Sequence, residues 1–287
     1  MKLGNIIQHW FFAEIDIRQY ALLRIGIGTL ILIYLYQLMP LASLHFSSDG
    51  WLGNSPLSNG EGTKSWSLLF LFTSASQTQI FWLLAMMFAG GFLIGLHTRT
   101  CGWITWIALV SIWHRNPLLL DGDDAILRMT LLYLIFAPCG NAFAIDAIGK
   151  KPVDKFPIWP LRMIQLQLAI VYFVSGWVKF QSQQWLDGSI LQVILMHPQY
   201  SRWNFSLWVE QYWFTTILAW LSHIIRWWEI LFPVLLWQRY TRCLCIVIGI
   251  LFHLGLLVFM HLRWFPIIML ILYIALLPNT WFRKNIP

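Results

Sequence analysis

The chain has 287 residues, of which 59% are hydrophobic and only 11% are charged, with a formal net charge of +7. A typical soluble domain has about 25% charged residues, so a chain this poor in charge cannot cover a water-facing surface. Most basic residues lie at the ends of apolar segments on one side of the predicted membrane. The positive charge therefore does not indicate a nucleic-acid-binding protein.

The N-terminal residues 1–19 predict a segment that lies on the membrane rather than across it. Asn5–Tyr20 mixes apolar residues with Glu14, Asp16 and Arg18, and no small-residue cleavage site follows an apolar core. A cleavable signal peptide is therefore not expected. The pattern predicts an amphipathic interfacial helix, and a helix packed on the soluble side fits it equally well.

Repeated long apolar segments predict an all-α fold, a polytopic integral membrane helical bundle with about eight transmembrane helices. These helices form one transmembrane domain over residues 20–280, followed by a short cytoplasmic tail over 281–287. Pro233 predicts a kink or a break in the sixth span. The predicted spans are 22–42, 79–96, 100–118, 122–138, 159–180, 211–237, 243–262 and 264–278.

The distribution of basic residues predicts the orientation of the bundle. With the N-terminus inside, the outer segments contain only Lys64, Arg115, Arg202 and Arg263. The inner segments then contain ten basic residues: Lys2, Arg18, Arg99, Lys150, Lys151, Lys155, Arg239, Arg242, Arg283 and Lys284. Both termini are therefore predicted in the cytoplasm.

The long outer segments and the cysteines add two expectations. The outer segment Gln181–Glu210 is rich in aromatic residues, and a short re-entrant or interfacial helix is expected around Leu191–Met196. All four cysteines fall near the inner face, where structural disulfides are not expected. Metal-ligand spacings such as His-Glu-x-x-His are absent from the sequence, so no metal site is predicted.

Lys179 is the most informative ionisable residue inside a predicted span. Helical spacing places Gln165, Tyr172, Gly176 and Lys179 on one stripe of the fifth span, near its outer end. A polar stripe on an apolar helix must face protein or water, where a desolvated lysine can serve as a base. The alternative is a lysine that snorkels from a helix end to the membrane surface.

Two further ionisable residues lie in the middle of spans. Glu229 follows Arg226 by three residues on the same face, and one interpretation is that the two charges neutralise each other. The functional alternative is an acid that orients Lys179 or His253. His253 is either a packing residue of the seventh span or part of the same site.

The outer turn before the fourth span is dense in polar residues. His114, Arg115 and Asn116 precede Asp123 and its neighbours, which are placed to cap the first turn of the next helix. Capping and a functional role both remain open for this turn. Arg24, near the inner end of the first span, is interpreted as snorkelling or as binding a lipid phosphate.

The order of these motifs resembles the HTTM (horizontally transferred transmembrane domain) family, which is similar to the membrane domain of vitamin K-dependent gamma-carboxylase. The resemblance covers residues 20–280, nearly the whole chain. The motifs that carry it are Arg24–Gly28, Gly95–Arg99, Arg115–Pro117 with Gly122 and Asp123, Asp146, Tyr172–Gly176 with Lys179, Trp185, Gly188, Glu229 with Pro233, His253, and Phe265–Met269.

The resemblance implies that Lys179 is the base that deprotonates a quinone-type cofactor in its hydroquinone form, at an outward-facing site. Asp123 aligns with a functional histidine of the carboxylase, and an ionised aspartate cannot donate the same hydrogen bonds. Lys179, Glu229, His253 and Asp123 form the predicted catalytic set. The predicted cofactor-binding residues are Tyr172, Gln165, His114, Arg115 and Asn116.

Two readings of the function follow. The first is a gamma-carboxylase-like or quinone-dependent enzyme of the bacterial inner membrane, surrounded by lipid, whose substrate is a secreted peptide or protein. The second is a non-catalytic accessory protein for the maturation or export of a small secreted peptide. A transporter is less favoured because the sequence lacks an internal repeat.

Overall fold

The computed structural model describes residues 8, 10–51, 53, 58–59, 63–64, 66–119, 121–151 and 155–285. Within them, helices occupy all eight predicted spans, and the all-α fold is confirmed. The principal helices are α1 Arg18–Leu38, α2 Ala75–Ile94, α3 Thr98–Arg115, α4 Gly122–Phe136, α5 Trp159–Gln181, α6 Tyr212–Trp237, α7 Arg239–Phe259 and α8 Phe265–Leu272.

Short elements complete the described part of the chain. Short α-helices are Ala42–Phe46, Gln183–Leu186, Ile190–Met196, Ser206–Val209 and Asn279–Asn285. Short 3-10 helices are Met39–Leu41, Leu68–Phe70, Pro117–Leu119, Ile145–Ala147 and Tyr273–Leu276. Two antiparallel strand pairs join Glu14–Asp16 to Lys155–Pro157 and Ser58–Asn59 to Thr63–Lys64.

The N-terminal segment is helical at residues 8 and 10–12, but the predicted helix over Asn5–Tyr20, part of which lies outside the described residues, is interrupted by a strand. Glu14–Asp16 is a β-strand, and helix α1 begins only at Arg18. Ile15 pairs with Phe156 across the two strands and is buried. The extended backbone gains hydrogen bonds from this distant segment, which the local apolar pattern could not reveal.

The chain divides into two compact units, where the sequence predicted one domain over 20–280. The first unit is Met1–Arg162 with Pro278–Pro287, and the second is Met163–Leu277. Sequence hydropathy identifies each apolar helix singly, and it does not show which helices pack together.

Helices α1 to α4 form the core of the first unit. Helix α2 contacts α1 and α3, and α4 contacts α1 and α3. The indole of Trp82 donates a hydrogen bond to the Leu35 carbonyl at 2.7 Å, and the indole of Trp113 lies 3.1 Å from the Tyr34 hydroxyl. These buried aromatic donors are therefore satisfied inside the helix bundle.

Arg24 does not snorkel, contrary to the sequence interpretation. Its side chain is fully buried, and its guanidinium donates hydrogen bonds to the carbonyls of Cys139, Ala142 and Phe143. The planar, multi-donor guanidinium can satisfy several carbonyls at once, which lysine cannot do in the same plane. Arg24 therefore fixes the turn after α4 to the first helix.

Asp146 anchors the segment between α4 and α5 to the start of α3. Its carboxylate accepts hydrogen bonds from the backbone N–H groups of His97 and Thr98 at 2.9 and 2.8 Å, and from the Thr98 hydroxyl at 2.7 Å. Partial burial opposes ionisation, but the bonds from Thr98 and His97 outweigh it and hold the pKa of Asp146 below its ordinary value.

We expect Asp146→Asn to destabilise the protein by about 1–3 kcal/mol at neutral pH, because charged acceptors form stronger hydrogen bonds. Because the pKa of Asp146 is lower in the folded protein, its ionisation stabilises the fold at pH values above the unfolded-state pKa of 3.8. This stabilisation is lost as the pH falls through the folded-state pKa. Thermal unfolding in detergent should therefore give a lower melting temperature for Asp146→Asn than for the wild type at pH 7, and similar melting temperatures in strong acid. A constant difference at every pH would contradict the assignment.

The second unit contains the helices that follow the inner loop. Helix α6 contacts α7, which contacts α8. The predicted break at Pro233 is not present, since α6 is one helix from Tyr212 to Trp237. The short helix predicted around Leu191–Met196 is confirmed as Ile190–Met196 and contacts α6.

Five helical segments are long and apolar enough to cross a membrane: Arg18–Phe46, Ala75–Ile94, Trp159–Gln181, Tyr212–Trp237 and Tyr240–Phe259. Helix α4, with 15 residues, rises about 22 Å and falls short of a hydrocarbon core about 30 Å thick. Helix α7 leaves an apolar stripe exposed for lipid contact: Leu244, Val247, Leu251, Leu254 and Val258.

Candidate functional site

A cavity of about 190 Å³ inside the second unit brings together three of the four predicted catalytic residues. Lys179, Glu229 and His253 all line it, and so does Tyr172 from the predicted cofactor-binding set. Its remaining wall is mainly apolar, formed by Val171, Ser175, Trp185, Leu191, Ile194, Ile225, Phe252, Leu256, Met260, Leu262, Phe265 and Met269.

Lys179, which is half-buried, and Glu229, which is buried, form an ion pair across α5 and α6. The Lys179 Nζ atom lies 2.6 Å from Glu229 Oε2 and 2.6 Å from the Ser175 hydroxyl. The side chain of Lys179 is 17% exposed and that of Glu229 is 5% exposed. The Trp185 ring centroid lies 4.9 Å from Nζ. The ammonium is therefore held inside the protein, and the snorkelling alternative is wrong.

The predicted neutralisation of Glu229 by Arg226 is also wrong. Arg226 donates a hydrogen bond from Nη1 to the Trp185 carbonyl at 3.1 Å and lies over the Phe180 ring. Because Arg226 is bound in this way, it holds the segment that carries Trp185 beside Lys179. Glu229 keeps its carboxylate for Lys179.

Gly176 lets α5 approach α6 closely enough for this ion pair. A Cβ atom added at Gly176 would lie 2.7 Å from the Ile230 backbone nitrogen and 3.1 Å from the Glu229 Cβ. Any side chain here would push the two helices apart. The glycine and Lys179 therefore belong to one arrangement, one helical turn apart.

A second polar cluster lies in the same unit. The Tyr172 hydroxyl is 2.8 Å from His253 Nε2 and 2.5 Å from the Tyr273 hydroxyl. Tyr172 also stacks on Phe232, with the ring centroids 4.0 Å apart. Gln165, predicted to bind the cofactor, instead donates its amide to the Ala275 carbonyl at 2.6 Å, and it does not line the cavity.

The other predicted site residues belong to the first unit and have contacts of their own there. Arg115 is buried and donates to the carbonyls of Phe46, Ser47 and Gly53. Asn116 donates to the His45 carbonyl, and His114 contacts the Trp66 carbonyl. These contacts fix the outer loop that precedes α2.

Asp123 belongs to the N-terminal turn of α4, where its carboxylate accepts a hydrogen bond from the Asp124 backbone at 3.0 Å. The Asp121 and Asp124 side chains form a capping box at the same helix end. The capping alternative from the sequence is therefore confirmed for this turn. A catalytic role for Asp123 stays a prediction.

Three residues of the site were not predicted as site residues. Ser175 lies one turn before Lys179, so its position on the stripe was a usable signal. Trp185 appeared only as a family motif and an outer-segment aromatic. Tyr273 gave no signal in the sequence, because its hydroxyl reaches Tyr172 only through the way the helices pack. The sequence of an apolar span does not show which residue of another helix it contacts.

The HTTM domain family matches residues 12–281, nearly the whole chain. The chain belongs to the HTTM family. It is therefore a membrane-embedded protein, in agreement with its long apolar helices. No curated protein and no solved structure matches it.

We expect the Lys179–Glu229 pair to give strong non-additivity in stability. Lys179→Met or Glu229→Gln alone should destabilise the protein by about 3 kcal/mol, because each removes one partner and leaves a buried charge. The double variant should recover much of that loss, since it buries no charge. Denaturant unfolding of the four proteins measures the coupling, and additive losses would mean that the charges do not interact.

Proposed function

We propose that this HTTM protein is a quinone-linked enzyme that binds a quinone or hydroquinone ring in the cavity of the second unit, with Lys179 as the base. The observation that carries the proposal is the Lys179–Glu229 pair facing a mainly apolar cavity. A structural ion pair gains nothing from lining a cavity, whereas a reacting pair needs access to a ligand.

The size and lining of the cavity support an aromatic ring as the ligand. An apolar cavity of about 150 Å³ holds benzene, and this one has a volume of about 190 Å³. Its aromatic and aliphatic walls suit a flat, apolar ring with few polar atoms. An isoprenoid tail on such a ring would extend into lipid.

The ion pair supports proton transfer from a hydroxyl of the ring. At 2.6 Å, the Lys179 ammonium can pass a proton to the Glu229 carboxylate, which leaves a neutral amine beside a neutral acid. The amine then accepts the proton of the ligand hydroxyl. The resulting ammonium stabilises the ligand anion in a site of low dielectric constant.

The proposed location is a bacterial inner membrane, with both termini in the cytoplasm and the cavity open to the outer side. The excess of basic residues in the predicted inner segments supports this orientation. Lys179 lies in the last turn of α5, whose first turn follows the basic inner loop.

A bound hydroquinone reports directly on the base. We expect wild-type protein to ionise 2,3-dimethyl-1,4-naphthohydroquinone, held without oxygen, at a pH at which the free compound is protonated. The absorbance spectrum of the anion measures this effect. Lys179→Met should remove it, because methionine accepts no proton.

Lys150→Met is the matched control, since Lys150 is exposed in the inner loop of the first unit. It should behave as wild type. Binding without ionisation in the wild-type protein would refute Lys179 as the base. Absence of binding would refute the quinone site and favour a non-catalytic accessory protein for a secreted peptide.

Single cysteines test the orientation. With the exposed Cys243 changed to serine, we expect a membrane-impermeant maleimide to label Lys150→Cys only from the cytoplasmic side. It should label Gln199→Cys only from the outer side, because the two residues are exposed in segments assigned to opposite sides. The reverse pattern would invert the orientation and place the cavity on the other side.

A further inference from the structure

Tyr273, Tyr172 and His253 form a continuous hydrogen-bonded chain inside the second unit. The distances along it are 2.5 Å between the two hydroxyls and 2.8 Å from Tyr172 to His253 Nε2. All three side chains are 2% exposed or less. Water therefore does not compete for these bonds, and the order of donors along the chain is set by the protein.

A count of unpaired polar groups decides which way the hydrogen bonds of this Tyr273–Tyr172–His253 chain run. If Tyr273 donates to Tyr172 and Tyr172 donates to His253 Nε2, both hydroxyl hydrogens are used. In the reverse direction, the Tyr273 hydrogen has no acceptor within the described residues. The first direction leaves one polar group of the chain unpaired, the Nδ1–H of His253, whereas the reverse leaves two, the Tyr273 hydrogen and the Nδ1 lone pair. Because unpaired buried polar groups are rare, the first direction is favoured. A neutral imidazole that accepts at Nε2 carries its hydrogen on Nδ1.

The Nδ1 atom of His253 is buried and has no hydrogen-bond partner among the described residues. The same side chain lines the cavity that Lys179 and Glu229 line. A buried unpaired donor is costly, and a ligand oxygen would satisfy it. The packing alternative from the sequence does not account for a hydrogen-bonded chain that ends on an unpaired buried atom of a residue that lines the cavity.

We propose that His253 is a binding residue that donates its Nδ1 hydrogen to an oxygen atom of the ring ligand. Tyr172 and Tyr273 are positioning residues that hold the imidazole in the donating tautomer. This inference rests on the proposed function for the class of ligand. It adds that the ligand has two oxygen functions, one facing Lys179 and the other facing His253.

The tautomer is measurable without any ligand. Nitrogen NMR of protein labelled with ¹⁵N-histidine should show His253 with its hydrogen on Nδ1, assigned by the signal that His253→Leu removes. Tyr172→Phe should let the other tautomer appear, because phenylalanine cannot donate to Nε2. A wild-type His253 protonated on Nε2 would overturn the proposal, whatever the protein binds.

Matched glycines of α7 test the role of Tyr273 without changing a polar group. A Cβ added at Gly249 would lie 1.8 Å from the Tyr273 hydroxyl, whereas one added at Gly255 meets nothing within 4 Å. We expect Gly249→Ala to displace Tyr273 and change the His253 signal, and Gly255→Ala to leave it unchanged. An unchanged signal in both would remove Tyr273 from the proposal.

A pair of probes measures the contribution of His253 to binding. The probes are 2,3-dimethyl-1,4-naphthoquinone and 2,3-dimethylnaphthalene, which lacks the two oxygens. Wild-type protein should prefer the quinone, and His253→Leu should reduce that preference by about tenfold, the effect of one buried hydrogen bond. His253→Asn should restore part of it, because an amide nitrogen can replace Nδ1 as a donor.

The outcomes separate this inference from the proposed function. A preference that is lost in Lys179→Met but kept in His253→Leu would overturn the role of His253 and leave the quinone site intact. Equal binding of both probes to the wild type would show a site for apolar rings that recognises no oxygen, and it too would overturn the inference. Binding of neither probe would overturn both proposals.

Discussion

The buried pair of Lys179 and Glu229 is the interaction on which the second unit depends. A single charge of either sign in this apolar region would cost several kcal/mol, so each residue requires the other. The pair in turn requires close approach of α5 and α6, which Gly176 permits. The ion pair therefore requires the short distance between the helices, and that distance requires the glycine.

The first unit meets the same constraint with a different solution. Arg24 and Arg115 are buried cations, and the structure satisfies them mainly with backbone carbonyls rather than carboxylates. A guanidinium has five donors and can bind several carbonyls of one turn. These arginines therefore order loops at the ends of helices. A cation in the protein interior therefore marks a candidate site in the second unit and has a structural role in the first.

The polar groups inside the two units also differ in their surroundings. Arg24 and Asp146 direct their hydrogen bonds to backbone groups of the inner loop and to the start of α3. Lys179 and His253 line a mainly apolar cavity, whereas the cavity that Asp146 lines also has Thr98, Arg99, Asn141 and Lys150 in its wall. Because apolar walls with few polar groups suit an aromatic ring, the proposals concern the second unit.

The sequence by itself determined that the protein is an all-α membrane protein, where its long helices lie, and that Lys179, Glu229 and His253 are candidate site residues inside them. Low charge, long apolar segments and the cost of a charge in lipid are properties of composition and spacing, so they can be read without a fold. Only the tertiary structure decided which charges meet. Glu229 has Arg226 as its neighbour on the helix and Lys179 as its partner in space, and Tyr273 reaches Tyr172 from a helix a hundred residues later. Such contacts depend on how helices pack, and helical periodicity gives the face of a residue but not the residue opposite it.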